Sequence, residues 1–435
     1  MNLLHANDRP GEYPQGYYAA TAAQLPPAPP LRGEATADCC IIGGGFTGAS
    51  AALHLAQKGV SVTLLEAQRM GFGASGRNGG QVSGGFNKGG DYLAAKLGTE
   101  PAQRLWDMSQ EAVTLTRDLI TKHAPDAEWT PGVFHAASTR AEAESLLREA
   151  EDLQKTFGYD QLSPVSAQDL PSVIASPAYR GGALDTGAAH IHPLRYALGL
   201  ARAAQLAGAR LHERSEVHAL KRQGGKWLVQ TGKGRVLADQ VILACNGYLG
   251  GLNRHVAARV MPINNYIAAT APLGDLAQTL LPANAAVADD KFVVNYFRLS
   301  SDGRMLFGGG ESYGYRFPAD IAAKVRKPMT RIFPQLAEVP IDYAWGGTLA
   351  ITRSRLPLIG EVAPGLLTAS GYSGHGVALA GYAGRVLADA AHGDRTDMEL
   401  LARLPTGPWP GGAGLRSPLL ALGMGWFALR DRLGL

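Results

Sequence analysis

Gly43, Gly45 and Gly48 stand in the spacing G-x-G-x-x-G, and a carboxylate, Glu66, follows about twenty residues after them. That set of residues can hold a dinucleotide. The first glycine permits a tight turn, the second lets a pyrophosphate approach the backbone, and the third lets a helix pack closely on a strand. Phe46 and Thr47 lie between the second and third glycines, where the N–H groups of the following helix point at the phosphates. Glu66, with Ala67 beside it, can accept both hydroxyls of an adenosine ribose. The same charge repels a 2′-phosphate and disfavours NADP. A lone glycine fingerprint is a weak signal. Here the apolar run Cys39–Ile42 precedes it and "VSVTLLE" ends at Glu66, so strand, turn, helix and second strand are all in place.

The next stretch, "GFGASGRNGGQ" from Gly71 to Gln81, carries five glycines in eleven residues. A plain nicotinamide domain would usually continue into another helix. A chain that stays in glycine loops suits a longer cofactor enclosed along its whole length, which favours FAD over NAD. Backbone N–H groups between Gly73, Ala74, Ser75 and Gln81 can meet a pyrophosphate and then line a flavin edge. Gly79 and Gly80 are expected to be glycine because the cofactor fills the space a Cβ would need. Arg77 and Asn78 can hold phosphate, a flavin carbonyl or substrate, and the spacing does not choose among them.

These residues need two kinds of scaffold. The stretch 210–246 reads as a strand, a hairpin and a buried strand "VILACN" ending in the turn signal Asn246-Gly247, at the edge where open α/β sheets bind ligands. "LLTASG" is a strand, "YSGHG" a tight loop and "VALAGYAGRVLADAA" a helix with small residues for close packing. Between these units, 93–181 holds two amphipathic helical stretches, and 253–347 alternates as an antiparallel sheet with a hairpin turn at "SSDGR". Laid over a flavin ring, such a sheet forms a substrate cleft, with Tyr266, Tyr296 and Arg298 expected to face it. The predicted fold class is α/β: a Rossmann-type domain and an α+β domain with an antiparallel sheet, interleaved in sequence. The expected limits are 1–36 for a Pro-rich arm packed along the body, then 37–90, 182–252 and 348–395 for the cofactor domain. The substrate domain takes 91–181 and 253–347, and a C-terminal docking segment takes 396–435.

Composition sets the remaining bounds. The 435-residue chain has a net charge of +4 with no Lys/Arg block, so no nucleic-acid partner is expected. No apolar run approaches the ~20 residues of a membrane span. The three cysteines, two of them adjacent, argue against a disulfide framework and for a reducing cytoplasm. The sequence contains neither a metal-ligand cluster nor a Ser/His/Asp pattern.

The stretches "CIIGGGFTGASAALHLAQKG" and "GASGRNGGQV" resemble the FAD-dependent oxidoreductases of the D-amino-acid oxidase superfamily, nearest to the gamma-glutamylputrescine oxidase-like proteins and related to glycine and sarcosine oxidases. The resemblance continues through "GGALDTGAAHIHPLRYALGLARAA", "YFRLSSDGRMLFGGG" and "TRSRLPLIGEVAPGLLTASGYSGHGVALAGYAGRVLADAA". It implies oxidation of an amine C–N bond by hydride transfer to flavin N5, giving an imine and then an aldehyde or keto product. Dioxygen or another acceptor would reoxidise the flavin. It places an adenine contact at the backbone of Val217. A helix N-terminus aimed at the flavin would stabilise the charge that develops on reduction. Tyr372, Ser373, Gly374, His375, Gly376 and Val377 are the residues expected there, His375 adding a donor or a polar wall. Some relatives bind flavin covalently. The absence of cysteine from the C-terminal lobe and of histidine from the loop 73–81 favours non-covalent FAD here. An amino-acid or N-methyl-amino-acid oxidase or dehydrogenase, a pyridine-nucleotide dehydrogenase and a non-catalytic flavin-binding protein are the competing readings.

Overall fold

A computed structural model describes residues 2–412 apart from 290, 292 and 313. The "LRSPLLALGMGWFALRDRLGL" segment, read as a docking helix, lies outside the described residues. The short helix before it, Thr396–Ala402, buries Met398 and Leu401.

The first sheet is built on strand Gly33–Ile42. It pairs in parallel with Gly234–Leu243 on one side and Val62–Leu65 on the other. Arg210–His212 extends the sheet beyond Val62–Leu65, and Leu366–Ser370 and Leu358–Ala363 extend it beyond Gly234–Leu243. Val62–Leu65 and Leu366–Ser370 are buried at every position, as strands covered on both faces must be. One face carries the helices Phe46–Gln57, Pro193–Leu206 and Val377–Ala391. The other is covered by the hairpin of Val217–Gln223 and Lys226–Thr231, with Trp227 and Val229 in its core. Cys39 and Cys40 point to these opposite faces.

Two glycines set how closely the helices approach. A Cβ on Gly48 would sit 1.8 Å from the Gly43 carbonyl oxygen, and one on Gly384 would sit 2.4 Å from that of Thr47. Helix Phe46–Gln57 is thus pressed onto its strand, and helix Val377–Ala391 onto helix Phe46–Gln57.

The second sheet runs Ile341–Ile351, Met261–Thr270, Met305–Ser312, Tyr296–Leu299, Ala286–Asp289, Thr130–Ala137, Gly181–His190, Gln81–Val82, with Leu162–Val165 also paired to Gly181–His190. It is antiparallel except where Ala286–Asp289 meets Thr130–Ala137. The "SSDGR" turn joins Tyr296–Leu299 to Met305–Ser312, with Gly303 at φ +73°. Its outer face packs on helix Ile321–Ile332 around Phe297, Phe307 and Phe333.

The domain limits read from the sequence differ from this arrangement at three places. Gly181–His190 and Gln81–Val82 belong to the second sheet, although they fall almost wholly within segments assigned to the cofactor domain. Helix Thr99–His123, assigned to the substrate domain, packs on Val377–Ala391 and Pro193–Leu206 of the cofactor domain, while its Trp106 reaches Phe157 and Tyr159 of the substrate domain. Its amphipathic stripe is legible in sequence, but the surface it covers is not.

The leader lies along the body. Tyr17 and Tyr18 are buried. The Tyr13 hydroxyl donates to the Met70 carbonyl at 2.7 Å, and the Leu31 amide donates to Ser215 Oγ at 2.9 Å. Among the described residues, no helix is long and apolar enough to cross a membrane.

Candidate active site

The carboxyl ends of the first-sheet strands open onto a cavity of about 760 Å³. Glu66, Ala67 and Val217 line one part of it, Gly43, Gly45, Phe46, Thr47, Gly73, Ala74 and Ser75 another, and Tyr372–Gly374, Gly376 and Val377 a third. A second cavity of about 820 Å³ lies under the second sheet. Ala74, Asn78, Leu349, Ser373, Gly374 and Val377 line both, so the two spaces meet along that seam.

Glu66 is buried. Its Oε2 accepts the Gly44 amide at 2.7 Å and its Oε1 the Gln68 amide at 2.8 Å. Burial pushes its carboxyl up to about 7, against the pull of these two amides. Each oxygen keeps a lone pair for a further donor. Helices Phe46–Gln57 and Val377–Ala391 both begin at this cavity, and neither has a side-chain cap. Their N-terminal amides and dipoles are available to anionic or developing negative charge. The Phe46 amide is spent, donating to Ser75 Oγ at 2.9 Å. In the loop before the second helix, the amides of Ser373 and His375 donate to the carbonyls of Ala350 and Tyr372. Those of Gly374 and Gly376 donate to no protein acceptor among the described residues.

Several sequence expectations are corrected here. Gly79, Gly80 and Gln81 line only the second cavity. A Cβ on Gly79 would sit 2.7 Å from the Tyr296 ring, and one on Gly80 would sit 2.2 Å from the Ile191 carbonyl oxygen. The protein itself already requires these glycines, and Gly80 also has φ +79°. Arg77 lines the second cavity and spends its Nε and Nη1 on the protein, while Nη2 is buried without a hydrogen-bond partner among the described residues. Its Nε donates to the Phe72 carbonyl, and its Nη1 donates to that of Gly346 and pairs with Asp8 at 2.9 Å. Asn78 holds the loop's own shape, donating to the Ala74 and Ser75 carbonyls and accepting the Gly80 amide.

Tyr296 lines the second cavity, its hydroxyl donating to Asn265 Oδ1 at 2.5 Å. Tyr266 does not. It is fully buried on the opposite face of its strand, edge-on to Phe317, while Asn265 and Ile267 face the cavity. A strand alternates strictly, so choosing the wrong member of "NNY" reverses the face. Arg298 shares a face with Tyr296, yet its head turns under the sheet. Its Nε donates to the Gly79 carbonyl and its Nη2 to that of Ile191, both at 2.8 Å. It is a positioning residue for the glycine loop.

His375 lines the second cavity. Its Nε2 lies 2.9 Å from the Gly84 carbonyl, which can only accept, so Nε2 carries the proton. Burial lowers its pKa and keeps the ring neutral. The donor expected from His375 is therefore already committed, and Nδ1 is left as an acceptor. Leu349 and Asn265 were missed by sequence reasoning. The one available signal was the alternation of their strands, which does not say which face meets a cavity.

A cavity lined by a fingerprint turn, a buried carboxylate and the start of a helix without a side-chain cap is the arrangement of a dinucleotide-binding flavoprotein oxidoreductase. A family model described as "FAD dependent oxidoreductase" matches residues 38–390. The chain belongs to that D-amino-acid oxidase (DAO) family of FAD-dependent oxidoreductases. It is 43% identical over 416 residues to "Probable oxidoreductase OrdL" of Rhizobium meliloti (strain 1021), covering 96% of this chain and 97% of that protein. It is 39% identical over 425 residues to "Gamma-glutamylputrescine oxidoreductase" of Escherichia coli (strain K12), covering 97% and 99%. Among solved structures, glycine oxidase from Geobacillus kaustophilus superposes with a TM-score of 0.72 at 22% identity, covering 87% of this chain and 100% of that one. That likeness shows the fold.

Proposed function

We propose that this protein oxidises the C–N bond of an aminoalkyl substrate of polyamine type, such as gamma-glutamylputrescine, to an imine that water hydrolyses to an aldehyde. The observation that carries the reading is the seam at Ala74, Asn78, Leu349, Ser373, Gly374 and Val377, where the cavity lined by the fingerprint turn meets a second one. The E. coli relative, similar over nearly its whole length, supports the substrate class. FAD, when bound, supplies the hydride-accepting ring and passes the electrons to O2 or another acceptor.

In this reading, Glu66 would receive the ribose hydroxyls and Val217 would lie against the adenine. The amides of Gly374 and Gly376 and the helix start at Val377 would stabilise the charge that reduction creates. A substrate ammonium must lose a proton before its C–H can leave as hydride, and neutral His375 Nδ1 is the acceptor proposed for it. Tyr296 walls the second cavity and keeps bulk water off the seam. Burial pushes the Cys245 thiol beside the first cavity up to about 12, which favours cofactor held without a covalent bond. Three free cysteines suit a reducing compartment such as the cytoplasm.

Anaerobic mixing of the yellow protein with gamma-glutamylputrescine should bleach the flavin faster than glycine or sarcosine does. Bleaching by sarcosine or glycine alone would move the reading to an amino-acid oxidase. A protein that stays yellow with every amine would be a flavin-binding protein without this activity.

A second expectation concerns Glu66. Hydroxyl donors favour its carboxylate form, so FAD affinity should fall as pH drops from about 8 to about 6, through the raised carboxyl pKa. Without cofactor the sign is opposite. A folded-state pKa raised above the unfolded value gives a contribution to stability that is present at low pH and lost as pH rises toward about 7. Glu66→Gln should weaken FAD by about 1–2 kcal/mol and remove the pH dependence. Titration of apoprotein with FAD at several pH values measures both, and a parent affinity that does not change with pH would take the ribose contact away from Glu66.

A further inference from the structure

Asp185, on strand Gly181–His190, is 8% exposed and forms part of the second cavity's wall. Three donors converge on one of its oxygens. The Tyr159 hydroxyl at 2.5 Å and the amides of Gly187 at 3.0 Å and Ala188 at 3.2 Å all donate to Oδ1. Oδ2 accepts from no protein donor among the described residues. That oxygen is left free to accept from a donor that enters the cavity.

Aromatic rings stand beside it. Trp106 stacks on Phe157 with centroids 4.8 Å apart, and meets Tyr159 edge-on at 5.3 Å. All three line the same cavity as Asp185 and are absent from the first. The glycine run "GGFNKGG" is thinned to lie against this shelf. A Cβ on Gly90 would sit 2.6 Å from the Phe157 ring, and one on Gly84 would sit 2.2 Å from Gln110 Nε2. No part of the cofactor cavity needs those glycines. Aromatic faces beside an unpartnered carboxylate oxygen are the chemistry that recognises an ammonium group.

We infer that Asp185 Oδ2, flanked by Tyr159 and Trp106, is a subsite for the second ammonium of an extended substrate whose other nitrogen is the one oxidised. The inference rests on the amine-oxidising reading above and adds to it the requirement for a second ammonium. Asp185 would act on specificity, holding the remote end while the reacting end lies at the seam.

The test uses the FAD-loaded protein and two probes of equal chain length, putrescine and butylamine, whose binding is read from the perturbed flavin spectrum. The parent should prefer putrescine. Asp185→Asn keeps the shape and the Oδ1 acceptor, and should weaken putrescine by about tenfold or more while leaving butylamine unchanged. Where putrescine is turned over, its KM should rise by a similar factor with kcat within about twofold. If Asp185→Asn does not fold, Trp106→Leu should show the same selective loss. Equal weakening of both probes, no weakening, or a parent without preference for putrescine would overturn the subsite. The two readings separate cleanly. Bleaching by gamma-glutamylputrescine with no selective effect of Asp185→Asn leaves the oxidase and removes the subsite. Selective putrescine binding without bleaching by any amine does the reverse.

Discussion

Gly48→Ala should yield a protein without flavin and with a sharply lowered melting temperature. The added methyl would sit 1.8 Å from the Gly43 carbonyl oxygen and 3.3 Å from Ile41 Cγ2. Neither obstacle is the loose end of a long side chain. Gly43 is itself held in the turn at φ +108°, where its own Cβ would meet the Ala244 carbonyl oxygen at 2.6 Å. The only relief is for helix Phe46–Gln57 to lift from strand Gly33–Ile42, which moves its N-terminal amides off the cofactor cavity. Overpacking costs about 1–3 kcal/mol where side chains can yield, and a clash with fixed backbone belongs at the top of that range or above it. Gly59→Ala is the control. It has φ +78° but nothing within 4 Å of its Cβ, so only the conformational cost of about 1–2 kcal/mol applies. Flavin content after purification and thermal melting compare the two variants. Full flavin in Gly48→Ala, with a melting point matching that of Gly59→Ala, would mean that this helix–strand approach is not what forms the site.

Arg298→Met should destabilise the protein by several kcal/mol and loosen the flavin together with it. The guanidinium is 4% exposed and no carboxylate pairs with it among the described residues. Its donors go to the carbonyls of Gly79, Ile191 and Leu299 and to the Tyr18 hydroxyl. Met fills much of the volume but leaves the buried Gly79 and Ile191 carbonyls without that donor, at about 1–3 kcal/mol each. Release of Gly79 also frees the Tyr296 ring packed against it, so the wall of the second cavity moves. Arg298→Lys should be intermediate, because a point charge cannot span two carbonyls as a planar fork does. Denaturant melts and flavin retention provide the measurement. The placement inferred from sequence alone, with Arg298 in the substrate cleft, makes a different forecast: unchanged stability and a large loss in kcat/KM. That outcome would reverse the assignment made here.

The nucleotide half of this protein was legible in its sequence because it rests on local chemistry. A tight turn, a close helix–strand contact and an acid at the next strand end all fall within about thirty residues of chain. Each demands a residue type that few others can replace, so spacing alone carries the reading from Gly43 to Glu66. The helix after "YSGHG" was legible for the same reason. Its small residues forecast close packing, and Gly384 packs against Thr47.

What only the tertiary structure decided is which partners the remaining glycines and polar groups meet. "GRNGGQ" reads as a ligand cradle because nothing nearby in sequence could crowd it. The groups that do crowd it, Tyr296 and Ile191, lie more than a hundred residues away. Arg77 and Arg298 read as free charges because most of their acceptors are backbone carbonyls, which every residue carries and no sequence marks, and their side-chain partners Asp8 and Tyr18 lie far away along the chain. The choice between Tyr266 and its neighbours turned on strand facing, where alternation defines two sets but not which set meets the cavity. Asp185 had no local signal at all. Its significance lies in one occupied and one open oxygen, set by a tyrosine 26 positions earlier and by a cavity wall drawn from several elements. Local backbone requirements are written in residue type and spacing. The satisfaction of buried polar groups is a property of the assembled chain, and it separates the residues that hold this site together from those that can face a substrate.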